Sequence, residues 1–277
     1  MRKPHRDVVD DFDRACEVRR RNSVKAMLQE LREEILEAYA AYDAAEGVPP
    51  SVAPIGFDKP QAEALRGNYP HTYEGGVLAE LRSKAFAAIE DDLCPMCGVG
   101  YVRALDHYLP KEKYPEFSVL ALNLVPTCTR CNENKLSLVG GAGGRFFHAY
   151  YEEVPETPSI LLADIEVAYG SAIVSFKVND ELPEVIYKNA AYHFERLRLS
   201  ETYVGPAVQE LVERVPFFES WYEGGGSEKV ARKAHRQAEH LRNEFGPQFW
   251  KAALYDAVEK NHDFCDGGFS LLASRNC

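Results

Sequence analysis

Residues 94 to 135 decide the fold. Cys94-Pro95-Met96-Cys97 opens the stretch, Asp106-His107 and then Asn123 follow, and Cys128-Thr129-Arg130-Cys131-Asn132-Glu133-Asn134-Lys135 closes it. Two residues between thiolates let both sulfurs of a knuckle reach one ion at about 2.3 Å, and two knuckles complete a tetrahedron. A single pair would suit a redox dithiol equally well. Two pairs in one short segment predict a structural Zn²⁺ on Cys94, Cys97, Cys128 and Cys131, with Gly98 taking the tight conformation that closes the first turn. Cys16, Cys265 and Cys277 lack metal spacing and read as structural or incidental. An odd total of seven cysteines suits a reducing, cytoplasmic compartment better than a disulfide framework.

Between the knuckles, Tyr101 to His107 reads as a short strand. A loop with Pro110 and Pro115 follows, then the apolar stretch Val119 to Val125, and a short helix from Cys131. Such a unit is too small for a core of its own, so an ion clamping its ends makes physical sense. An Asp beside a His at a strand end places a hard oxygen ligand next to a base. A divalent ion with few protein ligands and several waters is the Mg²⁺ style, usually completed by phosphate. His107 has the intrinsic pKa to take a proton from water near neutrality. Asn132 offers a second, neutral oxygen ligand, and Lys135, one helical turn on, is placed to hold a phosphate.

The order, type and spacing of these residues resemble the HNH endonucleases, the ββα-metal nucleases. The resemblance implies that His107 is the general base and Asp106 a ligand of the catalytic metal. It implies that Asn123 fixes the loop and orients the base, that Asn132 stands at the last, metal-binding position, and that Lys135 contacts phosphate. The implied cofactors are structural zinc and catalytic Mg²⁺ or Mn²⁺. The implied activity is hydrolysis of phosphodiester bonds in nucleic acid, DNA foremost, leaving a 5′-phosphate and a 3′-hydroxyl. Stand-alone proteins of this layout look similar to HNH subunits of bacterial anti-phage systems, which implies a partner such as an ATPase or another defence-system subunit. Restriction-type and homing-type nucleases are the rivals for that role. The alternative in a different class is a non-catalytic zinc ribbon that binds nucleic acid or protein. A ribbon has no need of Asp-His between its knuckles, nor of Asn and Lys after the second.

The expected architecture is α+β. Residues 1–92 form an N-terminal helical region, 93–150 the zinc-bound nuclease core, and 151–277 a small antiparallel sheet followed by C-terminal helices. Residues 7 to 45 read as helix, with Val24, Leu28, Leu31, Ile35, Tyr39 and Tyr42 at helical spacing and a break at Asn22-Ser23. Arg19, Arg20 and Arg21, just before that break, read as a solvated face with phosphate contact as the sharper option. The Pro- and Gly-rich stretch 46–75 reads as an irregular loop, and 77–89 as a helix. Gly140 to Gly144 reads as a hinge or flexible turn, since no Lys-Ser/Thr follows to make a phosphate loop. His148 among aromatics reads as a satisfied core histidine, with lining of the active site as the alternative. Asp164–Tyr169 and Ala172–Val178 read as a hairpin turning at Gly170-Ser171. Helices are expected over 190–199, 202–222, 227–245 and 247–262, broken at Pro216, Gly224–Gly226 and Gly246-Pro247. The helix 227–245 carries Lys229, Arg232, Lys233, Arg236 and Arg242 against Glu228, Glu239 and Glu244, which suits a DNA-facing surface or a plain solvated face. Trp221, Phe249 and Trp250 read as core or interface anchors.

The formal charge is −11. Collagen-like and wholly disordered classes are excluded by an ordinary composition, 45% hydrophobic and 27% charged. No apolar run reaches the ~18 residues of a membrane helix. The basic start gives way to Asp7, Asp10, Asp11 and Asp13, unlike a secretory signal. The acidity is concentrated in residues 152–186, where Lys177 alone opposes many carboxylates, while 94–135 carries a slight positive excess. A nuclease therefore stays compatible with the net charge, with weak non-specific affinity for DNA.

Overall fold

The computed structural model describes residues 1–89, 91–152, 155 and 157–276, with side chains through residue 272. Cys277 lies outside the described residues, as do Glu153 and Glu156 of the acidic stretch. The chain forms two compact units, 1–152 and 153–277. The helical region and the cysteine-framed segment, expected as separate regions, fold as one unit. The cause is a shared aromatic core that neither completes alone.

In the first unit, α1 (Val8–Glu17) starts on the Asp7 side chain, which accepts the backbone N–H groups of Val9 and Asp10 at 3.0 Å each. The expected break separates it from α2 (Asn22–Glu30). A second break at the buried Leu31 begins α3 (Arg32–Ala44). Leu28, Ile35, Tyr39 and Tyr42 are all buried, as their spacing predicts. The Tyr42 and Phe117 rings meet edge-on at 4.9 Å. Each such buried aromatic contributes roughly 2–3 kcal/mol relative to exposure.

The stretch 46–75 is more ordered than a loop. It contains α4 (Lys59–Arg66), with Pro60 in its first turn and a capping box: the Asp58 side chain accepts the Gln61 N–H at 2.8 Å, and the Gln61 side chain accepts the Asp58 N–H at 3.1 Å. A 3₁₀ turn follows at Tyr69–Thr72, and then α5 (Ala79–Ala87).

Next come β1 (Ala104–His107), β2 (Leu124–Thr127) and α6 (Thr129–Lys135). The strands are antiparallel, with Ala104 opposite Thr127 and His107 opposite Leu124. Helix α5 packs on this ribbon through Leu81, Ala85, Leu105, Ala121 and Leu124. A bare two-stranded ribbon is marginal in water, and this cover stabilises it. The glycine run forms a tight turn in which Gly141 and Gly144 exchange both backbone hydrogen bonds, 2.9 and 3.0 Å.

The second unit opens with β3 (Leu161–Ala168) and β4 (Ser171–Val178), paired antiparallel along their full length. The turn is Tyr169-Gly170, one residue earlier than expected. Both residues have positive φ, 53° and 70°, as the tight hairpin turn requires. Helices α7 (Glu184–Arg196), α8 (Leu199–Glu223), α9 (Gly226–Phe245), α10 (Trp250–Lys260) and α11 (His262–Cys265) follow. Helix α8 runs through Pro206 and Pro216, so Pro216 is no break. Its buried Tyr203, Ala207, Leu211, Val215 and Phe218 outweigh the ~3 kcal/mol an interior proline costs.

Trp250 is buried and stacks with Tyr203 at 6.2 Å, an anchor of this core. The basic helix α9 buries Val230, Ala234, Ala238 and Leu241, and Arg242 is paired with Asp256. Among the described residues no helix is long and apolar enough to cross a membrane.

Candidate functional site

The first knuckle is a hairpin turn. The Cys94 N–H donates to the Gly100 carbonyl at 2.7 Å, and the Gly98 N–H to the Cys94 carbonyl at 2.7 Å. Gly98 takes φ 65°, the left-handed conformation expected of it. Gly100 is glycine for space: a Cβ there would stand 2.7 Å from Cβ and 2.8 Å from Sγ of Cys128.

The second knuckle joins β2 to α6. Cys128 caps the helix, its sulfur accepting the Cys131 N–H at 3.4 Å, while the Cys97 sulfur accepts the Gly100 N–H at 3.5 Å. All four sulfurs lie within 4.8 Å of one another, and Cys97 and Cys128 are 3.9 Å apart. Tetrahedral Zn–S bonds of about 2.3 Å place sulfurs about 3.8 Å apart. The four buried cysteines therefore form a cluster that fits a metal such as zinc.

His107 ends β1. It is buried, and its Nε2 lies 3.0 Å from the Ser118 carbonyl. A carbonyl only accepts, so Nε2 carries the proton and Nδ1 keeps its lone pair. Among the described residues, Nδ1 has no hydrogen-bond partner, yet it is not among the sealed polar atoms left without one. Burial first, then the charges of Lys111 and Lys135, push the imidazole down to about 3, so it is neutral at pH 7. The Tyr69 ring covers it at 4.5 Å, and the Tyr69 hydroxyl donates to the Leu105 carbonyl of β1.

Asn123 is fully buried and uses its whole side chain. Oδ1 accepts the Leu109 N–H at 2.7 Å and the Tyr42 hydroxyl at 3.1 Å. Nδ2 donates to the carbonyls of Leu109 at 3.0 Å and Phe117 at 3.3 Å. It thus ties down both ends of the loop whose next residue, Ser118, holds His107.

Asp106 is mostly buried. Burial pushes its carboxyl up, against the pull of Lys135. Lys135, expected to face phosphate, is turned inward instead. It is 2% exposed, donates to the His107 carbonyl at 2.6 Å and pairs with Asp106 at 3.2 Å. The physical reason is that its ammonium lies in the core, 6.0 Å from the centre of the Phe146 ring, where a bare charge is costly without partners. Asn132 sits half-buried on the first turn of α6, its carboxamide without a hydrogen-bond partner among the described residues.

Sequence reasoning missed the hydrogen-bond link behind Asn123. The Tyr42 hydroxyl also meets Nε2 of His148 at 3.0 Å. His148 Nδ1 accepts the Tyr150 N–H at 3.2 Å, so its Nε2 is the protonated nitrogen and donates to Tyr42, which donates onward to Asn123. The reading of His148 as a satisfied core histidine matches this arrangement. The signal in sequence was only the aromatic company of both residues.

Burial pushes the His148 imidazole down to about 3 from 6.5. A depressed histidine contributes stability that is full above the unfolded value and is lost as pH falls toward the folded one. Unfolding free energy should therefore drop by about 2 kcal/mol between pH 7 and pH 5 from this group. His148→Gln should reduce the drop measured in denaturant titrations at the two pH values by that amount, leaving the similar contribution of His107 in place. An unchanged drop would contradict the assignment.

No protein-family model matches the chain, and no solved structure matches it. The chain is similar to Protein ea31 of Escherichia phage lambda, 26% identical over 205 residues, which cover 63% of this chain and 64% of the relative. The match thus spans less than two thirds of that protein's length.

Proposed function

We infer that the chain is a metal-dependent endonuclease of the HNH type, hydrolysing phosphodiester bonds of nucleic acid, DNA foremost. One observation carries the reading: a buried, neutral His107 tethered through Nε2 to the Ser118 carbonyl, with Nδ1 left as acceptor, beside Asp106 and inside the four-cysteine frame. The cysteine cluster is the place of the structural zinc.

In this reading His107 Nδ1 takes the proton of a water, whose oxygen attacks the phosphorus as the leaving sugar oxygen departs. Asn123 acts by holding the loop and so the orientation of the ring. Asp106 and the uncommitted carboxamide of Asn132 are hard oxygen donors that fit Mg²⁺ or Mn²⁺. That ion would supply positive charge against the scissile phosphate. Lys135 holds the Asp106 carboxylate in place and ties it to the backbone of β1.

A second reading is favoured by the same Lys135–Asp106 pair, which can be purely structural in a non-catalytic zinc ribbon. Incubation of the purified protein with plasmid, linear duplex, single-stranded DNA and RNA decides between them. Cleavage that needs Mg²⁺ or Mn²⁺ in addition to bound zinc is the expected result. Binding without cleavage of any substrate would select the ribbon.

A further inference from the structure

Between α1 and α2, on the first unit, lies a cavity of about 340 Å³ lined by Val18, Arg19, Arg20, Arg21, Val24 and His71. No carboxylate lines it. Arg20 and Arg21 are exposed, and neither has a carboxylate partner among the described residues. Arg19 is half-buried and held by the Gly67 carbonyl, 2.5 Å from its Nη1. Gly67 permits this seat, since a Cβ there would come within 2.7 Å of the guanidinium. Helix α2 begins at this cavity with no side chain capping it, so its positive end is open to an anion. His71 lines the same cavity.

Three guanidinium groups and an open helix start are a donor set for a phosphate oxygen. In a chain of net charge −11, such a concentration of unopposed cations is a local exception. His71 also belongs to the 3₁₀ turn Tyr69–Thr72, whose Tyr69 ring lies against His107. His71 of the cavity and Tyr69 over the proposed general base thus belong to one short turn.

We propose that the Arg19–Arg21/His71 cavity is a phosphate-binding subsite that holds the nucleic-acid backbone close to the phosphate attacked at His107. The part concerning His107 rests on the nuclease reading; the anion site itself does not. Arg20 and Arg21 take the phosphate charge directly. Arg19 and the start of α2 fix the pocket's shape.

The test is the salt dependence of binding, with fluorescent duplex and single-stranded oligonucleotides and no added Mg²⁺ or Mn²⁺. The full chain is compared with Arg20→Gln/Arg21→Gln, both exposed positions whose replacement leaves zinc content and melting as folding controls. Losing two phosphate contacts should make the slope of log K against log salt shallower by about 1.8 on duplex and about 1.4 on single strand. Inorganic phosphate is titrated alongside; competition by millimolar phosphate that disappears in the double variant assigns the effect to the cavity. Equal slopes in the two proteins would overturn the proposal, as would absence of any binding by the unaltered chain at low salt. A slope difference in a protein that cuts nothing with Mg²⁺ or Mn²⁺ would remove the nuclease reading and leave the phosphate site standing.

Discussion

Replacing His107 with alanine should lower nucleic-acid cleavage by about two to four orders of magnitude while the protein stays folded and zinc-loaded. The imidazole has a lone pair free at neutral pH and a fixed orientation, through Ser118 on one side and Tyr69 on the other. The four sulfurs that frame the site do not touch it, so zinc content should not change. The substitution also removes a buried hydrogen bond and leaves a void beside Tyr69, which costs roughly 1–3 kcal/mol. The comparison therefore uses single-turnover cleavage on protein verified by metal analysis and circular dichroism at a temperature well below its melting point. His107→Asn, which keeps more of the volume, guards against a loss of activity that merely reflects unfolding. A folded, zinc-bound His107→Ala protein that cuts at the unaltered rate would remove the general-base assignment.

Cys128→Ser should act on the opposite property and abolish the metal. Apparent zinc binding in a four-cysteine site contributes about 10–16 kcal/mol, comparable with or larger than the whole stability of an ordinary domain. Cys128 has two further duties: it caps α6 and packs against Gly100 across the first knuckle. Its loss should free the segment 94–135, seen as new proteolytic sites there and less than one zinc per chain. Cys265, whose sulfur donates to the Val258 carbonyl at 3.0 Å, is buried without metal spacing. Cys265→Ala should leave zinc stoichiometry intact. A Cys128→Ser protein that keeps one zinc and the original melting curve would contradict the four-cysteine site.

The parts of the molecule legible in the sequence are those with short-range causes. The knuckles follow from thiolate spacing, β1 and α6 from the residues between and after them, and the hairpin from Gly170, displaced by one residue because Tyr169 also accepts positive φ. The capping box Asp58-Lys59-Pro60-Gln61 was present in the sequence, but the surrounding prolines concealed α4. Pro216 misled because packing along α8 is decided by residues far away in the chain. Lys135 misled for the same reason: its partners Asp106 and the His107 carbonyl lie on another element. The contacts of Tyr42 with Asn123 and His148 could not be read from any local pattern, being 81 and 106 residues long.

Those separations also bear on the order in which the chain is made. Tyr42 leaves the ribosome long before Asn123, and His148 comes later still. At about 5–20 residues per second, 106 residues take roughly 5–20 s to synthesise. Only in the last 17 of those residues, after Cys131, are all four cysteines available to gather metal, and the hydrogen-bond chain behind Asn123 is still incomplete. Translation itself thus acts as a timer, delaying a fully braced His107 until nearly the whole first unit has emerged.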